Sequence, residues 1–386
     1  MTPEDPARLP LPAFGGGSLA DVLPAVLHSL GVAGGNPGDM GLAAARQVCV
    51  VLVDGLGMNA LLAHPAQTPF LTSLLGGGAS RAITSVFPTT TPIALTSLGT
   101  GLPPGQHGVT GLLIRLPEDG RLVNTLALPA QVDMRSLQPR PTVFERAARH
   151  GVAVTRVGPR AFDGVGLTEA GLRGGDYTSA ESVGERVAAT AAAVRRPGRS
   201  LTYVYFGDLD ATGHRMGCRS AAWREELTHM DRLVEQLAGA LPGGATLVVT
   251  SDHGMVDVPP GKRTDVAGHP ALADGVEVVA GDLRGVHVHT VPGAAADVLE
   301  AWRSTLGTSF WVVPRDEAVA SGLYGPVVAG HVMERIGDVV AAARDDSAVV
   351  DSRVLPPQML GLIGLHGSLT TDELMVPLLV RQTEDG

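Results

Sequence analysis

Acidic and histidine residues directly follow three β-like runs of this 386-residue chain. The runs and their side chains are Val48–Val53 with Asp54, Leu201–Phe206 with Asp210 and His214, and Thr246–Thr250 with Asp252 and His253; His366 follows near the C-terminus. Open α/β sheets present functional loops at the carboxyl ends of their strands, so we expect these side chains to meet. Small sets of oxygen and nitrogen ligands bind zinc-like ions. The pattern therefore predicts a two-metal centre, which can stabilise the attacking and leaving oxygens of a phosphoryl displacement.

A threonine nucleophile is predicted in the segment Pro88–Ile93 (PTTTPI). Thr91 precedes Pro92 where a strand-like run gives way to a helix-like run, and this pair is typical of a helix start. A hydroxyl there faces the positive end of the helix dipole, which favours an anionic oxygen. The argument also fits Thr89 and Thr90, and Thr91 could be a helix cap alone.

Composition and charge exclude other classes of protein. With 44% hydrophobic and 18% charged residues, the chain has the composition of a globular enzyme. Its net charge of −10 argues against coating of nucleic acid, whose phosphates attract basic surfaces. Cys49 and Cys218 give no sign of a disulfide framework. Because we recognise neither a signal peptide nor a membrane-spanning run, we expect a cytoplasmic protein that binds no membrane.

Strand-like and helix-like runs alternate along most of the chain, which predicts an α/β fold with a mostly parallel central sheet flanked by helices on both faces. Residues 1–18 are expected to form a loose N-terminal arm and residues 19–386 a single catalytic domain. The segment 257–357 is rich in Gly, Pro and short β-like pieces, and we interpret it as an inserted smaller subdomain. Ala60–Leu75 is predicted to be a helix, disturbed at Thr68-Pro69.

Several short motifs occur in a fixed order along the chain. They are VLVDGLG around Asp54, FPTTTP around Thr91 with Thr100-Gly101 and Gln106-His107-Gly108 downstream, DATGH at 210–214, SDHG at 251–254 and LHG at 365–367. Together they resemble the alkaline phosphatase superfamily, and within it the type I phosphodiesterase and nucleotide pyrophosphatase branch. The resemblance extends over roughly residues 45–380 and implies an alkaline-phosphatase-like core. No single motif would be specific.

The resemblance implies a role for each motif residue. One zinc ion would be held by Asp54, Asp252 and His253 with Thr91 as an exchangeable ligand, and the other by Asp210, His214 and His366. Thr91 would attack phosphorus and form a covalent intermediate, which water then hydrolyses. The spacing from Thr91 to Thr100-Gly101 fits the nucleophile position of the family and favours Thr91 over its two neighbours. Two divalent ions are implied, zinc by its ligand preference, although manganese and iron accept the same ligands.

The chain departs from this branch where the substrate would bind. Pro92-Ile93-Ala94 stands where the branch usually has Phe-Pro-Asn, and Val109–Leu112 lacks the Asn that binds a phosphoryl oxygen. Asn124 is a candidate substitute for that Asn. Arg160, in a loop after a strand, is a candidate contact to the substrate phosphate. Two tyrosines, Tyr177 and Tyr205, could contact a leaving group, although packing is the commoner role for such residues.

These observations predict a metal-dependent hydrolase of phosphodiester or pyrophosphate bonds in a small-molecule, nucleotide-type substrate. A phosphomonoesterase or phosphonate hydrolase of the same superfamily is an alternative, and a non-catalytic metal-stabilised binding protein is another. Asp208, two residues before Asp210, is an alternative metal ligand. The oligomeric state has no signature in the sequence.

Overall fold

The computed structural model of the chain describes residues 10–35, 40–126 and 132–383. The strands are, in chain order, Gln47–Val53 (β1), Arg81–Thr84 (β2), Leu113–Arg115 (β3), Leu122–Asn124 (β4), Ala153–Gly158 (β5), Asp176–Ser179 (β6), Ser200–Phe206 (β7), Thr246–Thr250 (β8), Val256–Asp257 (β9), Arg263–Asp265 (β10), Val276–Gly281 (β11), Gly285–Thr290 (β12), Phe310–Pro314 (β13), Val339–Ala343 (β14), Ala348–Val350 (β15), Gly364–Leu365 (β16) and Met375–Gln382 (β17). The α-helices are Leu19–Ser29 (α1), Met58–Ala63 (α2), Pro69–Leu74 (α3), Thr91–Thr100 (α4), Pro104–His107 (α5), Met134–Leu137 (α6), Val143–Arg149 (α7), Gly166–Gly171 (α8), Val183–Val194 (α9), Asp208–Met216 (α10), Ala221–Ala240 (α11), Pro270–Ala273 (α12), Ala295–Leu306 (α13), Arg315–Ala320 (α14), Gly330–Met333 (α15), Pro357–Leu360 (α16) and Thr371–Leu374 (α17). Within these ranges, no helix has the length and apolar character needed to cross a membrane.

A seven-stranded sheet in the order β2-β17-β8-β1-β7-β5-β6 forms the larger layer of the fold. β1 pairs in parallel with β7 and β8, whereas β17 runs antiparallel to both of its neighbours. β1 is a continuous apolar run because both of its faces are buried. Val48, Val50 and Leu52 pack with α1, α4 and α7, and the alternate residues pack with α3 and α11. The predicted α/β fold, with a mostly parallel sheet covered on both faces, is confirmed.

A second, antiparallel sheet in the order β13-β14-β12-β11-β3-β4 contains most of the predicted subdomain. Trp302 of α13 packs against one face of this sheet, and Tyr324 packs against the other. β3 and β4, from residues 113–124, extend the sheet because Leu113 pairs with Gly281. The second sheet is therefore built from two separate stretches of chain, of which the predicted subdomain 257–357 includes only the later one.

The described part of the predicted N-terminal arm is attached to the central sheet. The Ala13 amide donates a hydrogen bond of 2.8 Å to Thr84 Oγ1, and Ser18, the N-cap of α1, forms a β-bridge with Thr84. Residues 10–18 are thus held by β2 rather than loose. Residues 1–9 lie outside the described residues.

The helix predicted at Ala60–Leu75 is interrupted and forms the separate helices α2 and α3. Thr68 Oγ1 donates to the His64 carbonyl at 2.9 Å, and Pro69 begins α3. The residue before a proline disfavours helical backbone angles, so the Thr68-Pro69 step starts a new helix instead of bending one.

A buried ion pair joins the second sheet to the loops that follow β8 and β16. Arg284, just before β12, donates from Nε and Nη2 to the two carboxylate oxygens of Glu373, each at 2.8 Å, and both side chains are fully buried. Glu373 also accepts from the Ser368 amide at 3.0 Å, and its carbonyl accepts from the Gly254 amide at 2.9 Å. The pair therefore fixes the backbone beside His366 and beside His253.

Loss of either partner of this ion pair is expected to destabilise the fold strongly. Arg284→Met or Glu373→Leu leaves one buried charge uncompensated, which typically lowers the free energy of unfolding by about 3–5 kcal/mol. The double variant should lose clearly less than the sum of the two single losses, because no charge is left unpaired. Urea unfolding of the wild type, both single variants and the double variant measures this coupling. Strictly additive losses would contradict the assigned pair.

Candidate active site

The predicted metal-binding side chains converge at the carboxyl edge of the central sheet. Asp54 directly follows β1, Asp252 follows β8 after one residue, and Asp210 lies in the first turn of α10, which follows β7. Because β7 and β8 flank β1 in parallel, the carboxyl ends of all three strands meet at one place. The Asp54 amide donates to the Phe206 carbonyl of β7 at 2.9 Å, which fixes the turn that carries Asp54.

Asp210, His214 and His366 form a first group of candidate ligands, with one ligand atom of each within 4.8 Å of the others. Helix α10 puts Asp210 and His214 one turn apart on the same face, with 3.4 Å between Oδ2 and Nε2. The Nε2 atoms of the two histidines are 3.3 Å apart. Their Nδ1 atoms lie 2.7 Å from the Gly364 carbonyl and 2.8 Å from the Thr89 carbonyl. Each carbonyl accepts a hydrogen bond from Nδ1, which places the proton there and leaves the lone pair of each Nε2 free to bind a metal ion.

A second group surrounds His253. Its Nε2 lies 3.6 Å from Asp54 Oδ1, 3.4 Å from Asp252 Oδ2 and 3.1 Å from Thr91 Oγ1. Its Nδ1 lies 3.0 Å from the Gly254 carbonyl, which orients the ring in the same way. Ligand atoms of Asp54, Asp210 and His253 also lie within 4.8 Å of one another, so the two groups adjoin.

The electrostatics of these groups favour divalent cations. Asp54 Oδ1, Asp210 Oδ1 and Asp252 Oδ2 are buried and accept no hydrogen bond within the described part of the chain, where none of the three carboxylates pairs with arginine or lysine. Burial raises the pKa of Asp54 well above its ordinary value, and the two neighbouring carboxylates raise it further. Burial also raises the pKa of Asp210 and lowers that of His366 well below its ordinary value. Carboxylate and neutral imidazole donors in this arrangement fit zinc.

Thr91 is the threonine that the structure brings to the second ligand group. It is the first residue of α4 and Thr90 is the N-cap, so the helix begins one residue earlier than the Thr-Pro argument assumed. Thr89 Oγ1 instead donates to the Ser368 carbonyl at 2.7 Å and orders that loop. A hydroxyl at the first position of a ten-residue helix still lies in the positive field of its N-terminus.

Asp208, the alternative to Asp210, lies away from the ligand groups. Its side chain is 52% exposed and forms an ion pair of 3.5 Å with Arg186. Asp210 lies two residues further along α10, so its carboxylate points in a different direction and lies beside His214. The structure thus favours Asp210 as the candidate ligand.

The two predicted substrate contacts, Asn124 and Arg160, do not line the cavity beside Thr91. Asn124 ends β4 in the second sheet, and its Oδ1 accepts from the Leu126 amide at 2.9 Å. Arg160 is exposed because Pro159 ends the strand β5 and a surface turn follows. The arginine that lines the cavity is Arg156, within β5, rather than Arg160.

The cavity beside Thr91 has a volume of about 330 Å³. The candidate leaving-group contacts Tyr177 and Tyr205 line it, together with Arg156 and Tyr203, which the sequence analysis did not identify. Arg156, Tyr203 and Tyr205 line it from the sheet, and Tyr205 donates to Asp54 Oδ2 at 2.6 Å. The available signal was the strand alternation, because Tyr203 and Tyr205 are two residues apart and share one face of β7. An arginine inside the apolar run of β5 was a second signal.

Asp282, between β11 and β12, is another residue beside the site that the sequence analysis did not name. Burial raises the pKa of its carboxyl to about 6, although a hydrogen bond with Thr90 and attraction from His253 and His214 lower it. Its Oδ2 is buried without a hydrogen-bond partner in the described residues. Asp282 follows a strand, as Asp54 does, but that strand belongs to the second sheet.

Comparison with known proteins identifies the family. Residues 48–369 match the family described as type I phosphodiesterase / nucleotide pyrophosphatase. The chain belongs to this family. The resemblance to that branch of the alkaline phosphatase superfamily, inferred from the motifs, is therefore confirmed.

Individual relatives of this phosphodiesterase family member agree with the assignment. The human ectonucleotide pyrophosphatase/phosphodiesterase family member 7 is 27% identical over 228 residues, which are 55% of this chain and 48% of the human protein. The chain thus matches about half the length of that relative. The fold is similar to that of murine ectonucleotide pyrophosphatase / phosphodiesterase 5, with a TM-score of 0.70 and 20% identity over 86% of this chain and 87% of the murine one. A further structure of the murine protein, with a TM-score of 0.68, 20% identity and the same coverage, is of an inactive threonine-to-alanine variant in complex with AMP.

Added zinc is expected to stabilise the protein more at about pH 8 than at about pH 5. The pKa values of Asp54 and Asp210 are raised in the folded protein. As pH rises above their ordinary value of 3.8, these two carboxyls therefore lose their protons in the unfolded chain before they do so in the folded one. The free energy of unfolding of the metal-free protein consequently falls as pH rises. Zinc binds the ionised carboxylates and offsets this loss. The zinc-induced rise in Tm, followed by differential scanning fluorimetry, should therefore increase with pH.

Two variants serve as matched controls for this measurement. Asp210→Asn should reduce the zinc-induced rise, whereas Asp208→Asn, on the same helix but outside the ligand groups, should leave it unchanged. Equal rises at both pH values, or an equal effect of the two variants, would argue against metal binding at these carboxylates.

Proposed function

We propose that the protein is a two-metal phosphoric ester hydrolase that cleaves phosphodiester or pyrophosphate bonds in nucleotide-type substrates through a covalent intermediate on Thr91. The position of Thr91 carries this proposal: its Oγ1 lies 3.1 Å from His253 Nε2, at the helix N-terminus and beside two adjoining groups of candidate ligands. Membership of the type I phosphodiesterase / nucleotide pyrophosphatase family supports it. The inactive threonine-to-alanine variant of the murine relative, in complex with AMP, supports a threonine nucleophile and a nucleotide ligand.

The two metal ions would be held by the side chains that the sheet brings together. One group is Asp210, His214 and His366, and the other is Asp54, Asp252 and His253 with Thr91. Bound divalent ions, zinc by ligand preference, would supply Lewis acidity that neutralises charge developing on the phosphoryl oxygens. The three histidine rings are held by backbone carbonyls, so the ligand positions are set before any substrate binds.

Thr91 would act as the nucleophile. Its Oγ1 forms a bond to phosphorus as the bond from phosphorus to the leaving oxygen breaks, and water then attacks the same phosphorus and releases the threonine. The positive end of α4 favours the threonine oxygen after it loses its proton. The amide of Thr91, at the same helix terminus, would donate to a non-bridging phosphoryl oxygen and take the place of the Asn that Val109–Leu112 lacks.

The cavity beside Thr91 supports a substrate with an organic group on phosphorus. Its volume of about 330 Å³ is at the lower end of the range for small-molecule sites. Apolar and aromatic side chains such as Leu95, Phe162 and Tyr205 line it. In a phosphodiester, the ester group that stays on phosphorus during the reaction would occupy such a cavity, whereas a monoester has no second ester group to place there.

The small-molecule substrate and the cytoplasmic location stay predictions. The prefix "ecto" in the relatives' names describes those proteins. Fractionation of the native cells, with immunodetection of the chain, tests the location directly.

Turnover of nitrophenyl phosphate esters is the experiment that tests the proposed reaction. The zinc-loaded protein is expected to hydrolyse a nitrophenyl phosphate diester with a kcat/KM at least about tenfold higher than that for the matched monoester, because the cavity holds the second ester group. Preference for the monoester would indicate a phosphomonoesterase. Absence of turnover on diester, monoester and phosphonate, with zinc bound, would leave only the non-catalytic metal-stabilised protein.

Replacement of Thr91 by alanine should abolish most turnover and leave the bound metal nearly unchanged. Loss of a nucleophile lowers kcat by several orders of magnitude, here at least about 1,000-fold. Thr91→Ser, which keeps a hydroxyl, should retain measurable turnover. Turnover of the diester and metal content by mass spectrometry are measured on both variants. Normal turnover by Thr91→Ala would rule out the covalent mechanism.

A further inference from the structure

Two nitrogens of the buried Arg156 guanidinium group have no hydrogen-bond partner among the described residues. The residue is 7% exposed, and its Nε and Nη1 atoms are buried and form no hydrogen bond with any described residue. Among the described residues, no carboxylate forms an ion pair with Arg156. The acidic residues that interact with it electrostatically at longer range are Glu169 and Asp163, and Glu169 forms an ion pair of 3.0 Å with Arg135. Buried charges are normally paired, so an uncompensated guanidinium suggests that a ligand supplies its partner.

The sheet holds Arg156 in the middle of a row of polar side chains. It lies opposite Tyr203 on β7 and opposite Tyr177 on β6, in register across three parallel strands. Its guanidinium carbon is 5.3 Å from the centre of the Tyr177 ring. Tyr177 donates its hydroxyl to the Pro159 carbonyl at 2.7 Å, whereas the Tyr203 hydroxyl is buried with no partner in the described chain. The row therefore offers unused donors from Arg156 and Tyr203.

These donors face the same cavity as the nucleophile. Arg156, Tyr177, Tyr203 and Thr91 all line it. Tyr205, which donates to Asp54, is two residues beyond Tyr203, and two residues of a strand span roughly 7 Å. Arg156 is in register with Tyr203, so its backbone lies roughly 7 Å along the strand direction from that of Tyr205, which contacts the candidate metal ligand Asp54. A substrate fixed by its phosphoryl group at Thr91 would thus reach Arg156 with the far end of its organic group.

Resting on the function proposed above, we infer that Arg156 and Tyr203 form a recognition site for a second anionic group, a carboxylate or a phosphate, on the organic part of the substrate. A guanidinium forms paired hydrogen bonds with either oxyanion, and its planar fork suits this geometry. The aromatic walls of the cavity would hold the carbon chain or ring between the two anions. The favoured substrates are therefore phosphate esters that carry a further acidic group, rather than esters of neutral alcohols.

The test uses matched nitrophenyl phosphate diesters and the zinc-loaded protein of 386 residues. The second ester group is an alkyl chain long enough to span roughly 7 Å, and it ends in a carboxylate, a phosphate or a neutral carboxamide. The proteins compared are the wild type, Arg156→Met and the control Arg160→Met, an exposed arginine four residues further on that does not line the cavity. The quantity measured is the ratio of kcat/KM for each anionic diester to that for the carboxamide.

The wild type should prefer at least one anionic diester by about tenfold or more, the size expected for a hydrogen bond to a charged group. Arg156→Met should bring that ratio close to one, and Arg160→Met should keep it. Preference for the carboxylate or for the phosphate alone identifies the source of the anion. A wild-type ratio near one for both anions, or a ratio unaffected by Arg156→Met, overturns the inference while the hydrolase function stands.

Binding and stability measurements separate this inference from the proposed function. If the wild type hydrolyses none of the diesters, the hydrolase proposal fails, and calorimetric binding of the alkyl phosphates with carboxylate and carboxamide ends still tests Arg156. Arg156→Met should have a higher Tm than the wild type, because it removes an unpaired buried charge. A lower Tm together with unchanged selectivity would indicate a structural arginine and overturn the proposal. Should Arg156→Met not fold, Arg156→Gln repeats both measurements.

Discussion

The compensation of three buried carboxylates is the constraint on which the site depends. Asp54, Asp210 and Asp252 each have an oxygen that is buried and accepts no hydrogen bond from the described residues. Ionised carboxylates in such surroundings are strongly unfavourable without a counter-charge. His366 beside them supplies a neutral imidazole nitrogen as a ligand, because burial lowers its pKa well below the ordinary value. Divalent cations would neutralise the carboxylates and bind the histidine nitrogens. The position of Thr91 beside His253 suits a nucleophile only if such cations are bound.

The fold holds the three buried carboxylates close together. The three carboxylates follow β1, β7 and β8, which are adjacent strands with apolar side chains on both faces. The loops that carry His253 and His366 are fixed from the other side by the fully buried pair of Arg284 and Glu373. The second sheet therefore contributes to the site although its own residues, apart from Asp282, lie outside it. Mutations in that sheet should act on the positions of the two histidines rather than on the nucleophile directly.

Much of the site was predictable from the sequence, because the candidate ligands other than His366 come after strongly apolar strands, and the ends of parallel strands meet. Asp54, Asp210 and Asp252 illustrate this. The helix start near Pro92 pointed to the threonines at 89–91, and the family's spacing to Thr100-Gly101 favoured Thr91 among them. The pairing of β3 with β11 was not predictable, since strands of three residues carry almost no pattern and register depends on tertiary packing. Arg156 was overlooked and Arg160 chosen in its place, because a residue in a loop after a strand looks more accessible than one within the strand. Only the three-dimensional structure shows that Nε and Nη1 of the buried arginine have no hydrogen-bond partner among the described residues, and that this side chain lines the cavity.

The most direct test of the two-metal account is a zinc titration of protein from which metal has been removed by a chelator. Bound zinc and turnover of the nitrophenyl phosphate diester are followed in the same samples. Two adjoining ligand groups predict that turnover reaches its plateau when two zinc ions are bound per chain, with little activity before the second. Full turnover by the metal-free protein, or failure of the intact protein to bind zinc, would contradict the account.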